Sequence, residues 1–404
     1  MNRNKEEWKL AIQKHDGEKE ADLRFLSQAE AEKARNFHKS FPFYEPTPLV
    51  NLSKTAKELG LKNVYIKDES CRFGLNAFKA LGGSYAVGNY CAEKLGREIS
   101  ETTFSDLISE EMRKILGEVT FVTATDGNHG RGVAWIANQI GQKSVVYMPE
   151  GSAAERLENI RAEGAKAEIL NRNYDDTVRF AKRQAEENGW VLMQDTSWEG
   201  YEKIPTWIMQ GYGTMGLEAY EQLPEKPTHI FLQAGVGSMA GAVAGLFASI
   251  YGNERPFVAV VEPNAADCFY RTVEANDGTC HCVSGSMNTI MAGLACGEPC
   301  SIAWDVLADC ADFFISFPDY AAANGMRILG NPAKDDQKMI SGESGASAFG
   351  CVAEIMTNPE LVSLREQMHL DENSVVLFFS TEGATDRAAY REIVWNGKYA
   401  KKDF

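Results

Sequence analysis

A lysine set among apolar neighbours and followed by a glycine pair is the residue in this chain best suited to covalent chemistry. Lys79 lies in LNAFKALGGS, residues 75–84, where lost hydration is expected to lower its pKa and free the amine to attack a carbonyl. The plainer alternative is a lysine at a helix start whose charge points at water. Residues 229–245, HIFLQAGVGSMAGAVAG, read as a strand entering a glycine turn and then a helix. Free backbone N–H groups and the positive end of the helix dipole would meet there, as a phosphate cradle requires, although a mere tight turn would look the same. Gly235, Gly237 and Ala240 also fit the GxGxxA form of a dinucleotide fingerprint, with Glu262 at the next strand end as a ribose partner.

Two more turns carry usable groups. In TATDGNHGRG, residues 123–132, Gly127 permits close backbone approach, Asn128 offers an amide to an oxyanion, and Asp126 projects a carboxylate at the same place. His129 would fall in the first helical turn, where a buried histidine bonded to backbone is the better reading. In FFSTEGATD, residues 378–386, Ser380 and Thr381 either cap the following helix or face a ligand at the strand end. Asp195 closes another strand, as a turn cap or a further acid. An amine nucleophile, a phosphate cradle, an amide for a phenolic oxygen and a neutral hydroxyl together suit a phosphorylated aromatic aldehyde, and pyridoxal phosphate needs all four.

These groups must be positioned by an alternating scaffold. Strands at 118–124, 144–149, 165–170 and 190–195 are separated by helices at 128–140, 153–163 and 174–187, the pattern of parallel βα units. After the aromatic connection DTSWEGYEKIPTW, a helix at 206–222 leads to a strand at 229–235, a helix at 238–250 and a strand at 256–263, with later strands in DFFISF and SVVLFFS. The fold expected is α/β, with two open, twisted, mostly parallel sheets flanked by helices. A large cofactor-binding domain of residues 1–88 plus 208–404 and a small α/β domain of residues 89–207 would leave a cleft between facing strand ends. Residues 1–40 read as surface helices or an arm, without visible chemistry.

Composition narrows the partners. The chain has 404 residues, 44% hydrophobic and 24% charged, with a formal charge of −16, which disfavours nucleic acid and anionic membranes. No stretch approaches the roughly 20 apolar residues that span a bilayer, and the start MNRNKEEWKL lacks the apolar core of a signal peptide, so the cytoplasm is expected. The nine cysteines contain no CxxC pair. Those between Cys268 and Cys310, with His281, are the only candidates for a soft metal site, but their spacing fits no zinc pattern, so no metal is assigned.

The order lysine motif, GNHG, glycine loop and late Ser/Thr resembles the fold-type II, tryptophan synthase β-like pyridoxal phosphate enzymes, over nearly the whole chain from about Tyr44. Within that class, ATDGNHGRGVAW, QDTSWEGYEKIPTWIMQGYGT, TIMAGLACGEP, ISGESGA and STEGATD are similar to the diaminopropionate ammonia-lyase family. The resemblance implies pyridoxal 5'-phosphate held through Lys79, with Asn128 at the ring hydroxyl, Gly235, Val236, Gly237, Ser238 and Met239 at the phosphate, and Ser380 or Thr381 at the ring nitrogen. It implies α,β-elimination from D- and L-2,3-diaminopropionate, a small-molecule amino acid, by a homodimer; beside Lys79, the catalytic candidates are Asp126 and, as a further acid, Asp195. The alternative is a serine or threonine dehydratase of the same class. In such dehydratases the turn before GNH carries Ser or Ala and cups the substrate carboxylate. A carboxylate there, at about 4 Å and an effective dielectric near 20, would repel the substrate's by about 4 kcal/mol, so Asp126 implies a second amine on the substrate. A nicotinamide oxidoreductase would explain the glycine turn but not Lys79 or the GNHG turn, and a non-catalytic binding module gives no reason for an amine nucleophile beside a phosphate cradle.

Overall fold

The computed structural model describes residues 8–15 and 21–401. Eleven strands form two sheets among the described residues. In chain order they are β1 (Lys9–Ile12), β2 (Leu49–Asn51), β3 (Asn63–Asp68), β4 (Thr120–Ala124), β5 (Lys143–Met148), β6 (Lys166–Ile169), β7 (Val191–Leu192), β8 (His229–Gln233), β9 (Phe257–Pro263), β10 (Phe313–Phe317) and β11 (Val375–Ser380). The larger sheet has the order β1-β10-β9-β8-β11-β3-β2, and the smaller β6-β5-β4-β7. All pairs are parallel except the two edges, where β1 runs against β10 and β2 against β3.

The central strands β8, β9, β10 and β11 are buried along nearly their whole length. They read as near-continuous apolar runs because helices cover both faces of the sheet. One core cluster packs Leu81, Tyr85, Tyr212 and Phe247 on one side, and another packs Phe231, Phe317, Phe349 and Phe378 on the other. The smaller sheet draws its strands from residues 120–192 alone.

The described part of residues 1–40 is only partly surface helix. The helix Gln28–Lys39 buries Phe37, whose ring lies where a Cβ on Gly88 would come within 2.4 Å. Lys9–Ile12 is a strand of the large sheet, contrary to expectation. Four residues carry too short an alternation to be seen without their partner, β10.

Candidate active site

The site is assembled at carboxyl ends of strands of both sheets. Lys79 immediately precedes the helix Ala80–Leu95, which packs closely on Lys203–Gln222; a Cβ on Gly82 would come 2.6 Å from the Tyr212 ring. The turn after β4 carries Asp126 and Asn128, Asp195 follows β7, the loop 234–237 follows β8, and Thr381 follows β11. One cavity is bordered by Lys79, Asp126, Asn128, Asp195, Gly235, Val236, Gly237, Ser238, Met239 and Thr381. Ser380 is absent from that wall: its hydroxyl donates to Ser341 Oγ at 2.8 Å, while Thr381 Oγ1 accepts from Gln233 at 3.0 Å. Neither caps the next helix, Arg387–Val394, which is capped by Asp386.

Lys79 corrects the expectation of a depressed pKa. Its Nζ donates to Asp195 Oδ2 at 2.7 Å. Burial opposes the charge, but Asp195, Tyr212 and Asp126 outweigh it and hold the ammonium well above the usual lysine range. Desolvation was legible from the apolar neighbours; the carboxylate 116 residues away was not. Burial would raise Asp195, yet the facing His129 and Lys79 hold it down to about 2. Tyr174 also donates to Asp195 Oδ1, at 3.3 Å.

His129 is buried, its Nε2 2.7 Å from the Met193 carbonyl, and burial depresses its pKa. Glu262 is no ribose partner. It accepts from the Phe269 and Tyr270 N–H groups at 3.0 and 2.7 Å, which caps the helix Cys268–Ala275, and it has no exposed surface. Asn128 Nδ2 donates to Glu382 Oε2 at 2.6 Å. Asp126 Oδ2 is buried without a hydrogen-bond partner. Among the described residues, no group of three or more His, Cys, Asp or Glu is arranged to hold a metal.

Several wall residues escaped the sequence reading. Tyr212, whose buried hydroxyl has no partner, Tyr174, Ser344 and Glu382 all border the cavity. Tyr212 and Glu382 sit inside QGYGT and STEG, which marked their segments but not their side chains. Arg156, 3.6 Å from Asp126, had no signal at all, since it is one arginine in a charged helix.

Residues 41–381 match the family model described as pyridoxal-phosphate dependent enzyme. The diaminopropionate ammonia-lyase of Salmonella typhimurium is 53% identical over 369 residues, covering 90% of this chain and 91% of its own. The chain belongs to the pyridoxal-phosphate dependent enzymes, in the diaminopropionate ammonia-lyase family. The crystal structure of Escherichia coli diaminopropionate ammonia-lyase in complex with an aminoacrylate-PLP azomethine reaction intermediate superposes with a TM-score of 0.88 at 47% identity, over 97% of this chain and 98% of that one. A catabolic L-threonine dehydratase of Staphylococcus aureus is 25% identical over 72% of this chain and 74% of its own.

The residues present fit the cofactor of a pyridoxal-phosphate dependent enzyme. The helix Ser238–Tyr251 begins at Gly237 with no side-chain cap, leaving its first N–H groups for an anion. Gly237 has φ of +92°, and a Cβ on it would come 2.4 Å from the Phe269 ring. A Cβ on Gly235 would come 2.8 Å from the Gly293 carbonyl oxygen. Only glycine lets this cradle close.

Proposed function

We propose that the chain converts D- and L-2,3-diaminopropionate and water to pyruvate and two ammonia. The observation that carries this reading is an unbonded buried carboxylate oxygen on Asp126, bordering the same cavity as Lys79. Such an oxygen pairs with an ammonium by charge as well as by hydrogen bond, whereas a hydroxyl offers it the hydrogen bond alone. The 53% identity to a diaminopropionate ammonia-lyase, against 25% to a threonine dehydratase, supports the diamine over serine or threonine.

Pyridoxal phosphate, when bound, supplies an electron-withdrawing ring that stabilises negative charge at the substrate α-carbon. Lys79 would hold its aldehyde carbon, the turn Gly235 to Met239 its phosphate, Asn128 its ring hydroxyl and Thr381 its ring nitrogen. Glu382, bonded to Asn128, fixes that amide. A neutral hydroxyl beside the ring nitrogen, in place of a carboxylate, leaves that nitrogen largely unprotonated and so favours elimination.

Lys79 Nζ removes the α-proton of one enantiomer, and Asp126 that of the other. Asp195, 2.7 Å from Lys79 Nζ, then holds the proton so taken on that amine, ready to protonate the departing β-amine. Acid–base help of this kind contributes about 10² to 10⁴ in rate. Buried side chains of Tyr174 and Asp195 keep water from this side of the site. We place the enzyme in the cytoplasm, where its nine unpaired cysteines suit a reducing compartment, and assign it the homodimer usual in its class, to be checked by light scattering.

Pyruvate and ammonia release from diaminopropionate, serine and threonine at equal concentration tests the reaction. The diamine should be turned over far faster than either hydroxy amino acid. Equal rates with serine would return the assignment to a dehydratase.

A further inference from the structure

Beside the inner cavity lies a wider chamber that shares Asp126 and Tyr174 with it and is also bordered by Arg156, Glu343 and Asp386. Arg156 belongs to the helix Ala154–Ala162. Its stem lies against the turn after β4: a Cβ on Gly127 would come 2.9 Å from Arg156 Cδ. The glycine therefore makes room for the arginine.

Only 6% of the Arg156 side chain is exposed, yet its guanidinium stops short of every carboxylate around it. Nη1 is 3.6 Å from Asp126 Oδ2 and Nη2 is 3.9 Å from Glu343 Oε2, and Glu382 and Asp386 act on it from farther away. Arg156 Nε is buried with no hydrogen-bond partner, as is Asp126 Oδ2. An orphan donor and an orphan acceptor on two buried, neighbouring side chains are costly unless a ligand completes them. An arginine serving only to hold the fold closes onto its carboxylates, as Arg72 does on Glu69 and Glu218 at 2.8 to 3.0 Å.

We propose that Arg156 receives the carboxylate of the substrate, so that Asp126 can meet an ammonium of the same molecule without repelling its acid group. This rests on the diamine reading above and explains how an acidic residue at position 126 coexists with an amino-acid substrate. A molecule with a carboxylate and a β-ammonium satisfies both orphans together, whereas a simple amine satisfies only Asp126. Arg156 thereby selects amino acids over amines of the same length.

The test is calorimetric binding of 3-aminopropanoate and of n-propylamine to the holoenzyme. In Arg156→Met, 3-aminopropanoate should bind about 10- to 100-fold more weakly, the loss expected for a charge-assisted contact, and n-propylamine within about twofold of the parent, a change too small to report a lost contact. Arg156→Lys should fall between, and KM for diaminopropionate should rise by more than kcat falls. Equal weakening of both ligands, or no weakening of 3-aminopropanoate, overturns the proposal. If Arg156→Met fails to fold, Arg156→Gln carries the same comparison. A parent enzyme that released no pyruvate from diaminopropionate would overturn the proposed reaction, while 3-aminopropanoate binding would still decide the role of Arg156.

Discussion

Two buried clusters in this molecule use the same residue types to opposite ends. In the first, Arg72 donates from every nitrogen, to Glu69, Glu218, Thr47 and the Glu45 carbonyl. Lys67 Nζ donates to the Thr47 carbonyl at 2.6 Å and Gln222 at 2.9 Å, and lies 2.7 Å from Glu218. Two cations face two carboxylates, and the charge is balanced. In the second, Lys79 and Arg156 face Asp126, Asp195, Glu343 and Glu382, with buried polar atoms on Asp126 and Arg156 left unbonded. The first cluster ties residues 44–47 and β3 to the helix Lys203–Gln222 and has nothing left to offer a ligand. The second keeps an excess of negative charge and open donors, which is a standing cost to the fold unless a cationic, carboxylate-bearing molecule completes it.

Substitutions in the two clusters should therefore separate function from stability. Lys79→Ala should lower turnover by more than about 10⁴-fold and remove the yellow absorbance of the holoenzyme. A purified variant that kept the colour would refute the assignment of Lys79. Arg72→Met should act mainly on stability, costing about 3–5 kcal/mol by leaving Glu69 buried without its cation and Glu218 with Lys67 alone. A loss below about 1 kcal/mol in urea unfolding would mean the bonded cluster matters no more than a surface pair.

Asp126→Asn sharpens the contrast within the second cluster. It should depress turnover of the D-isomer about 10²-fold more than that of the L-isomer; equal losses would limit Asp126 to binding or protonation. The smallest effect is a difference in pH dependence. Burial would raise Glu218, but Arg72 and Lys67 hold it at about 2, against an ordinary 4.5. Its stabilisation is full above pH 4.5 and is lost as pH falls toward 2. Glu343 goes the other way: burial and the Glu382 charge, only partly offset by Arg156, push it up to about 7 from 4.5. Its cost is absent below pH 4.5 and grows as pH rises through 7. Glu343→Gln should accordingly stabilise the protein by about 1–3 kcal/mol at pH 8 and not at pH 4, read from urea midpoints at both. A pH-independent gain would show that the carboxylate is not the source.

Parallel strands and their helices were legible because each βα unit carries its own local periodicity and turn. The late helices were not. Ser347–Thr357 is buried on almost every face and so has no polar stripe to set its period, and Cys268–Ala275 is short and takes its cap from Glu262, in the strand before it. At the site, the glycine cradle and Lys79 announced themselves through composition. The choice between Ser380 and Thr381 did not, because it depends on which residue leaves the strand on the cavity side.

Sequence by itself determined the fold class and singled out Lys79, the glycine turn and Asp126 as the candidate site residues, since each is written in a few consecutive residues whose backbone demands are local. Tertiary structure alone decided the charge of Lys79, through Asp195 at the end of β7, and the presence of Arg156 behind Asp126. Electrostatic energy depends on distance and burial, and strand order, not chain order, sets both.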